Sequence, residues 1–176
     1  MKIFITGGIK SGKTFYALKR AKALNPPRGY IATALVKDED MDNKVKKHRM
    51  ERGAEFETVE VPIGLAAAVR LADNKYNITV VDCLNMWLLN MMEEKIDLEK
   101  SFNEFIGALR DTAAQLLIVS NEVSSGVIPG DRFSREFVEK LGEINRAVAG
   151  IAEEVILMVA GNPVYVKGES NGRKAF

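Results

Sequence analysis

The stretch Ile3-Phe4-Ile5-Thr6-Gly7-Gly8-Ile9-Lys10-Ser11-Gly12-Lys13-Thr14-Phe15 decides the fold. An apolar run ends in paired glycines, the spacing G-x-x-x-x-G-K-[ST] is met from Gly7 to Thr14, and a segment of helical period follows to Leu24. Glycines let the backbone curl so that successive N–H groups point inward at phosphate oxygens, and the helix behind adds its positive end. Lys13 then reaches the β- and γ-phosphates, and the Thr14 hydroxyl can hold Mg²⁺. A glycine-rich turn with a solvated lysine shares the composition, but strand, loop and helix stand in the order a phosphate loop requires.

Outward from that loop, short β-branched runs alternate with helical periods. The pattern predicts strands over Lys2 to Thr6, Gly29 to Thr33, Phe56 to Val61, Ile78 to Val81, Leu116 to Ser120, Val155 to Val159 and Val164 to Val166. It predicts helices over Thr14 to Leu24, Asp40 to Arg52, Ile63 to Ala72, Leu84 to Met92, Leu98 to Gln115 and Phe133 to Ala152. In the last, Phe133, Phe137, Leu141, Ile144, Val148 and Ile151 share one face. Such β/α alternation implies a P-loop NTPase-like α/β fold in three layers, a mainly parallel sheet flanked by helices. Breaks at Asn25 to Gly29, Pro62, Asp73 to Lys75 and Asn121 to Asp131 are too short to divide domains, so residues 1–176 are expected to form one. The tail from Gly168 to Phe176 is polar and expected to fray.

At 176 residues, one domain can bury roughly 70% of its unfolded surface. Lysine plus arginine number 25 against 24 aspartates and glutamates, so no global field argues for nucleic acid or an anionic membrane. A lone cysteine, Cys83, excludes an internal disulfide and a multi-cysteine zinc site and fits a reducing compartment. The opening apolar run is short for a signal peptide, and no apolar run reaches membrane-spanning length, so the expectation is a cytoplasmic protein without membrane insertion.

Two further elements carry chemistry. Ile78-Thr79-Val80-Val81-Asp82 is a buried-strand pattern ending in a carboxylate. Beside a phosphate loop such an aspartate can hold the water shell of Mg²⁺; alone it reads as a strand running into a turn. Lys44 to Arg52 contains the only histidine, His48, among Lys44, Lys47, Arg49 and Arg52. Helical spacing puts Met41, Val45 and His48 on one face, so a histidine packed on an apolar stripe and a nucleophile within an anion-binding cluster both fit.

These residues, taken together, resemble a family. The blocks Thr6-Gly7-Gly8-x-x-Ser11-Gly12-Lys13, Tyr30-Ile31-Ala32-Thr33, Asp38-x-x-Met41-x-x-Lys44-Val45-x-x-His48-x-x-x-Arg52 and Thr58-Val59-Glu60 look like the CobU-type bifunctional adenosylcobinamide kinase/adenosylcobinamide-phosphate guanylyltransferases. Asp82-Cys83-Leu84, Ser120-Asn121-Glu122-Val123-x-x-Gly126-Val127-Ile128-Pro129 and Asn145-Arg146-x-x-Ala149 continue the likeness to about Lys167. The chain departs from it at Lys44, where arginine is usual, at Ser124, where glycine is usual, and loosely over Phe133 to Phe137. Loss of a glycine at Ser124 is expected to alter the loop backbone.

The resemblance implies an enzyme of cobalamin (vitamin B12) synthesis. It would phosphorylate adenosylcobinamide from a nucleoside triphosphate, then pass GMP from GTP through a guanylylated histidine to give adenosylcobinamide-GDP. Carried over residue by residue, His48 is the guanylylated position, and Gly7, Gly8, Ile9, Lys10, Ser11, Gly12, Lys13 and Thr14 hold the triphosphate. Ile31, Ala32 and Thr33, with Arg49, Met50, Glu51 and Arg52, line the guanine nucleotide, and Glu60 and Asp82 are nucleotide-contacting carboxylates. The implied ligands are GTP, ATP, Mg²⁺ (on Thr14 and Asp82) and the corrinoid substrate; the implied assembly is a homotrimer with sites at subunit boundaries.

Elementary chemistry agrees. Phosphoryl transfer asks for charge neutralisation and positioning, for which Lys13, Thr14 and Asp82 suffice in kind. Nucleotidyl transfer through an intermediate adds a nucleophile: a neutral imidazole attacks the α-phosphorus, and neighbouring cations favour the neutral form and hold pyrophosphate. A simple P-loop small-molecule kinase with a structural His48, and a nucleotide-sensing module without turnover, share the loop and stay open. Lys13 is expected to be exposed at the loop rather than part of the core, so its replacement by alanine should leave the fold intact.

Overall fold

The computed structural model describes residues 1–35 and 52–168. Its strands are β1 (Lys2–Gly7), β2 (Arg28–Ala32), β3 (Glu57–Glu60), β4 (Ile78–Asp82), β5 (Gln115–Val119), β6 (Glu154–Val159) and β7 (Asn162–Lys167). Its helices among the described residues are α1 (Lys13–Lys22), α2 (Leu65–Asp73), α3 (Leu84–Glu93), α4 (Leu98–Asp111) and α5 (Arg132–Ile151). Every strand read from the alternation is present, with ends shifted by a residue or two. The helix expected over Asp40 to Arg52 lies outside the described residues except for its last position.

The strands form one sheet in the order β3-β2-β4-β5-β1-β6-β7. All neighbouring pairs are parallel except β6 and β7, a hairpin too short for a crossover. Register aligns Glu60, Ala32, Asp82, Val119, Ile5 and Ile156 in one row near the carboxyl ends of their strands. Carboxyl ends of parallel strands are where open α/β sheets bind ligands.

Strand alternation sends apolar side chains to both faces. Ile3, Ile5, Tyr30, Ile78, Val80, Leu117 and Ile156 pack against Ala17, Leu18 and Ala21 of α1. Phe4, Ile31, Val81, Leu116, Ile118 and Val155 pack against α2 to α5 through Val69, Leu88, Leu109, Ile144 and neighbours. The fold is thus the expected P-loop NTPase-like three-layer α/β arrangement, with a mostly parallel seven-stranded sheet between helical layers.

Two expectations are corrected. Helix α4 stops at Asp111 rather than running to Gln115, because Thr112 is extended and Asp73 accepts hydrogen bonds from the N–H groups of Ala113 and Ala114, at 3.4 and 2.5 Å. With its N–H groups taken there, the chain leaves the helix, and Gln115 pairs with Ile78 as the first residue of β5. In α5, Leu141, Ile144 and Val148 are buried as expected, but Phe133 is 46% exposed because it stands in the first turn, beyond the sheet. The two long helices open on aspartates that sequence spacing did not single out: Asp97 accepts from Lys100 N–H at 3.0 Å and Asp131 from Ser134 N–H at 2.8 Å.

Candidate nucleotide and metal site

The loop joining β1 to α1 owes its shape to two glycines. Gly7 has φ 149°, and a Cβ there would lie 2.5 Å from the Met158 carbonyl of β6; Gly12, the residue before α1, has φ 91°. Within the loop Ser11 N–H donates to Gly8 O at 3.2 Å, and Tyr16 N–H donates to Gly12 O at 2.9 Å. The turn between β6 and β7 supports it from outside, Gly161 N–H donating to Ser11 O at 3.1 Å. Ile9 is 81% exposed at the loop's outer edge, and Lys10 takes a left-handed conformation with φ 58°.

Lys13 overturns the expectation of an exposed side chain. It is only 8% exposed, and its ammonium donates to Gly7 O at 2.9 Å, Gly8 O at 2.6 Å and Ser11 Oγ at 3.5 Å. A cation in the first turn of a helix whose N–H groups point at the loop is held by the loop's own carbonyls. Burial lowers its pKa from the ordinary lysine value, opposed by electrostatic interaction with Cys83 and Asp82.

Asp82, at the end of β4, meets the loop from the neighbouring part of the sheet. Thr14 Oγ1 donates to Asp82 Oδ2 at 2.9 Å, which leaves the lone pairs of the threonine oxygen free for a cation. Hydroxyl and carboxylate oxygens are the hard donors Mg²⁺ takes, and Mg²⁺ completes its octahedron with phosphate and water. Among the described residues no group of three His, Cys, Asp or Glu forms a metal cage. The residues present therefore fit Mg²⁺.

The remaining expected residues divide. Ala32 shares the row with Asp82 and Glu60, whose side chain is exposed on edge strand β3. Ile31 points into the opposite core, 3% exposed, and Thr33 is fully buried, its hydroxyl donating to Cys83 O and accepting from Cys83 N–H, both at 2.7 Å. Arg52 is 3% exposed, with its guanidinium carbon 4.1 Å from the centre of the Tyr30 ring. His48 lies outside the described residues, as do Lys44, Lys47, Arg49, Met50 and Glu51.

Other residues at the site were not assigned a role from sequence. Tyr30, 2% exposed, donates its hydroxyl to Asp82 Oδ2 at 2.5 Å. Burial and then the Asp82 charge raise its pKa well above the ordinary tyrosine value, so it stays a donor. The signal available in sequence was an aromatic with a polar tip two residues before the end of its strand, on the face that carries Asp82. Cys83 is no rival nucleophile: its thiol is pushed up to about 12, by burial first and Asp82 second, and stays protonated near neutral pH. Ser124 has no positive φ, so the glycine lost there strains nothing; instead its N–H donates to Glu122 Oε1 at 2.8 Å, and its hydroxyl bonds the same oxygen. Glu122 N–H in turn donates to Gly7 O at 3.0 Å, tying this block to the phosphate loop.

The chain is similar to known proteins along nearly its whole length. The profile of the CobU family, described as cobinamide kinase / cobinamide phosphate guanyltransferase, matches residues 3–166. The bifunctional adenosylcobalamin biosynthesis protein CobP of Pseudomonas aeruginosa is 34% identical over 173 residues, covering 96% of this chain and 99% of that one. The bifunctional adenosylcobalamin biosynthesis protein CobU of Escherichia coli is 29% identical over 187 residues, covering 95% and 100%. Among solved structures, a KaiC-like protein from Pyrococcus horikoshii OT3 superposes with a TM-score of 0.55 at 14% identity, covering 99% of this chain and 83% of that one, a likeness of fold alone.

Proposed function

The chain belongs to the CobU family of cobinamide kinases / cobinamide phosphate guanyltransferases, and from that premise we propose that it carries out both family reactions in cobalamin biosynthesis. In the first, the aminopropanol hydroxyl of adenosylcobinamide takes the γ-phosphoryl group of ATP or GTP, releasing the nucleoside diphosphate. In the second, His48 attacks the α-phosphorus of GTP, releasing pyrophosphate, and the bound GMP passes to the corrinoid phosphate to give adenosylcobinamide-GDP.

The observation that carries this reading is the pair Thr14 Oγ1 and Asp82 Oδ2, 2.9 Å apart, at the carboxyl edge of the sheet beside Lys13. In this reading the loop N–H groups from Gly8 to Thr14 hold the β- and γ-phosphates, and the Lys13 ammonium exchanges loop carbonyls for phosphate oxygens. Thr14 and Asp82 hold Mg²⁺, which when bound neutralises charge on those phosphates. Ala32 and Glu60 lie in the row beside Asp82, and Arg49, Met50, Glu51 and Arg52 with Ile31 and Thr33 belong to the segments assigned to the guanine nucleotide. The chain acts as one domain over residues 1–176, in a homotrimer with sites at subunit boundaries, in the cytoplasm and without nucleic acid. Among the described residues no helix is long and apolar enough to cross a membrane.

Incubation with α-labelled GTP tests the covalent step. The label should become protein-bound, survive alkali and be lost in acid, as a phosphoramidate is, and His48→Asn should abolish it while much corrinoid phosphorylation from ATP remains. Label retained in His48→Asn, or stable to acid, overturns the assignment; phosphorylated corrinoid without any protein label leaves the simple kinase.

A further inference from the structure

Asp82 Oδ2 receives two hydrogen bonds, from Thr14 Oγ1 at 2.9 Å and from the Tyr30 hydroxyl at 2.5 Å. Two donors occupy both lone pairs of that oxygen, which stops the carboxylate from rotating and leaves Oδ1 to meet a cation's water shell. Tyr30 is itself buried and packed between two side chains. Its ring is 2% exposed, meets Phe56 edge-on at 6.3 Å and 82°, and lies under the Arg52 guanidinium at 4.1 Å. Aromatic and cation–π contacts fix the ring plane, and the ring plane fixes the hydroxyl. Thr14 alone would leave the carboxylate one hinge, since a single hydrogen bond permits rotation about the bond to Cβ.

We propose that Tyr30 is a positioning residue of the metal site: its hydroxyl, held by the Phe56 and Arg52 contacts, aims Asp82 so that Asp82 and Thr14 present oxygens together to the Mg²⁺ of a bound nucleotide. The proposal rests on the reading that Thr14 and Asp82 hold Mg²⁺.

The test is GDP binding by titration calorimetry, with Mg²⁺ and with EDTA, on the wild type and on Tyr30→Phe, which removes one oxygen and keeps the ring contacts. Mg²⁺ should tighten GDP binding to the wild type, and Tyr30→Phe should lose about tenfold of that gain. Metal-free affinity should stay within about twofold, and in an Asp82→Ala background the Tyr30 change should have no further effect on the Mg²⁺ gain. No Mg²⁺ gain in the wild type removes the metal reading and this proposal with it. A normal gain in Tyr30→Phe overturns this proposal alone, and so does an equal loss with and without Mg²⁺, because a packing defect would weaken both.

Discussion

Lys13 is buried, yet the loop does not depend on it for its hydrogen bonds. Gly7 O also accepts from Glu122 N–H at 3.0 Å, and Gly8 O from Ser11 N–H at 3.2 Å, so neither carbonyl is orphaned when the ammonium is removed. Lys13→Ala is therefore expected to fold, with a stability loss of about 1 kcal/mol or less by urea denaturation, because the costly outcome, an unpaired buried polar group, does not arise. The same variant should lose triphosphate turnover by more than about a hundredfold, since in this reading the ammonium neutralises charge on the phosphates. Near-wild-type turnover would remove the phosphate-loop reading of Gly7 to Thr14. The lysine's motif was legible in eight consecutive residues; its burial was not, because the carbonyls that take up its charge are aligned only once the loop has curled.

At the scale of elements, the side chain of Asn90 fastens helix α3 to the strand ends beside the site. Asn90 is 1% exposed, and its amide donates to Thr33 O at 2.8 Å and Pro62 O at 3.0 Å, the segments that continue β2 and β3. Asn90→Ala should cost about 1–3 kcal/mol, because two carbonyls lose a buried donor. Urea denaturation should show a lower midpoint with an unchanged slope; a shift equivalent to less than about 0.5 kcal/mol, the range of an ordinary surface change, would show that Asn90 is no fastening. Nothing local predicts this role. In sequence Asn90 is a polar interruption of the apolar run Leu84 to Met92, and its partners lie 57 and 28 residues away. The end of α4 has the same cause, since the Asp73 carboxylate that takes the N–H groups after it comes from α2.

Across the whole molecule, the helical layers are unequal. Among the described residues α2 to α5 cover one face of the sheet and α1 alone packs on the other. The outer strand β7 exposes Val164 at 48% and Val166 at 65%, beside Val159 at 51%. An edge strand with exposed apolar residues is a surface that natural proteins cover or blunt. A homotrimer is expected on the family resemblance, and light scattering should return three times the chain mass of 19.5 kDa; a stable species at the single-chain mass would exclude it.

The sequence by itself determined the β/α alternation, the phosphate loop and the family, because each is written in neighbouring residues: a period, a glycine spacing, a block of identities. It also placed Asp82 at the end of its strand. Only the tertiary structure decided that Lys13 is buried, that Ile31 points into the core while Thr33 is buried against the Cys83 backbone, and that the β6–β7 turn supports the loop through Gly161. It likewise brought Tyr30 and Thr14 onto one oxygen of Asp82. The physical reason is register. Parallel strands distant in sequence are aligned by the packing of helices on both faces, and that alignment, set by contacts between distant residues, chooses which side chains meet at the sheet's carboxyl edge.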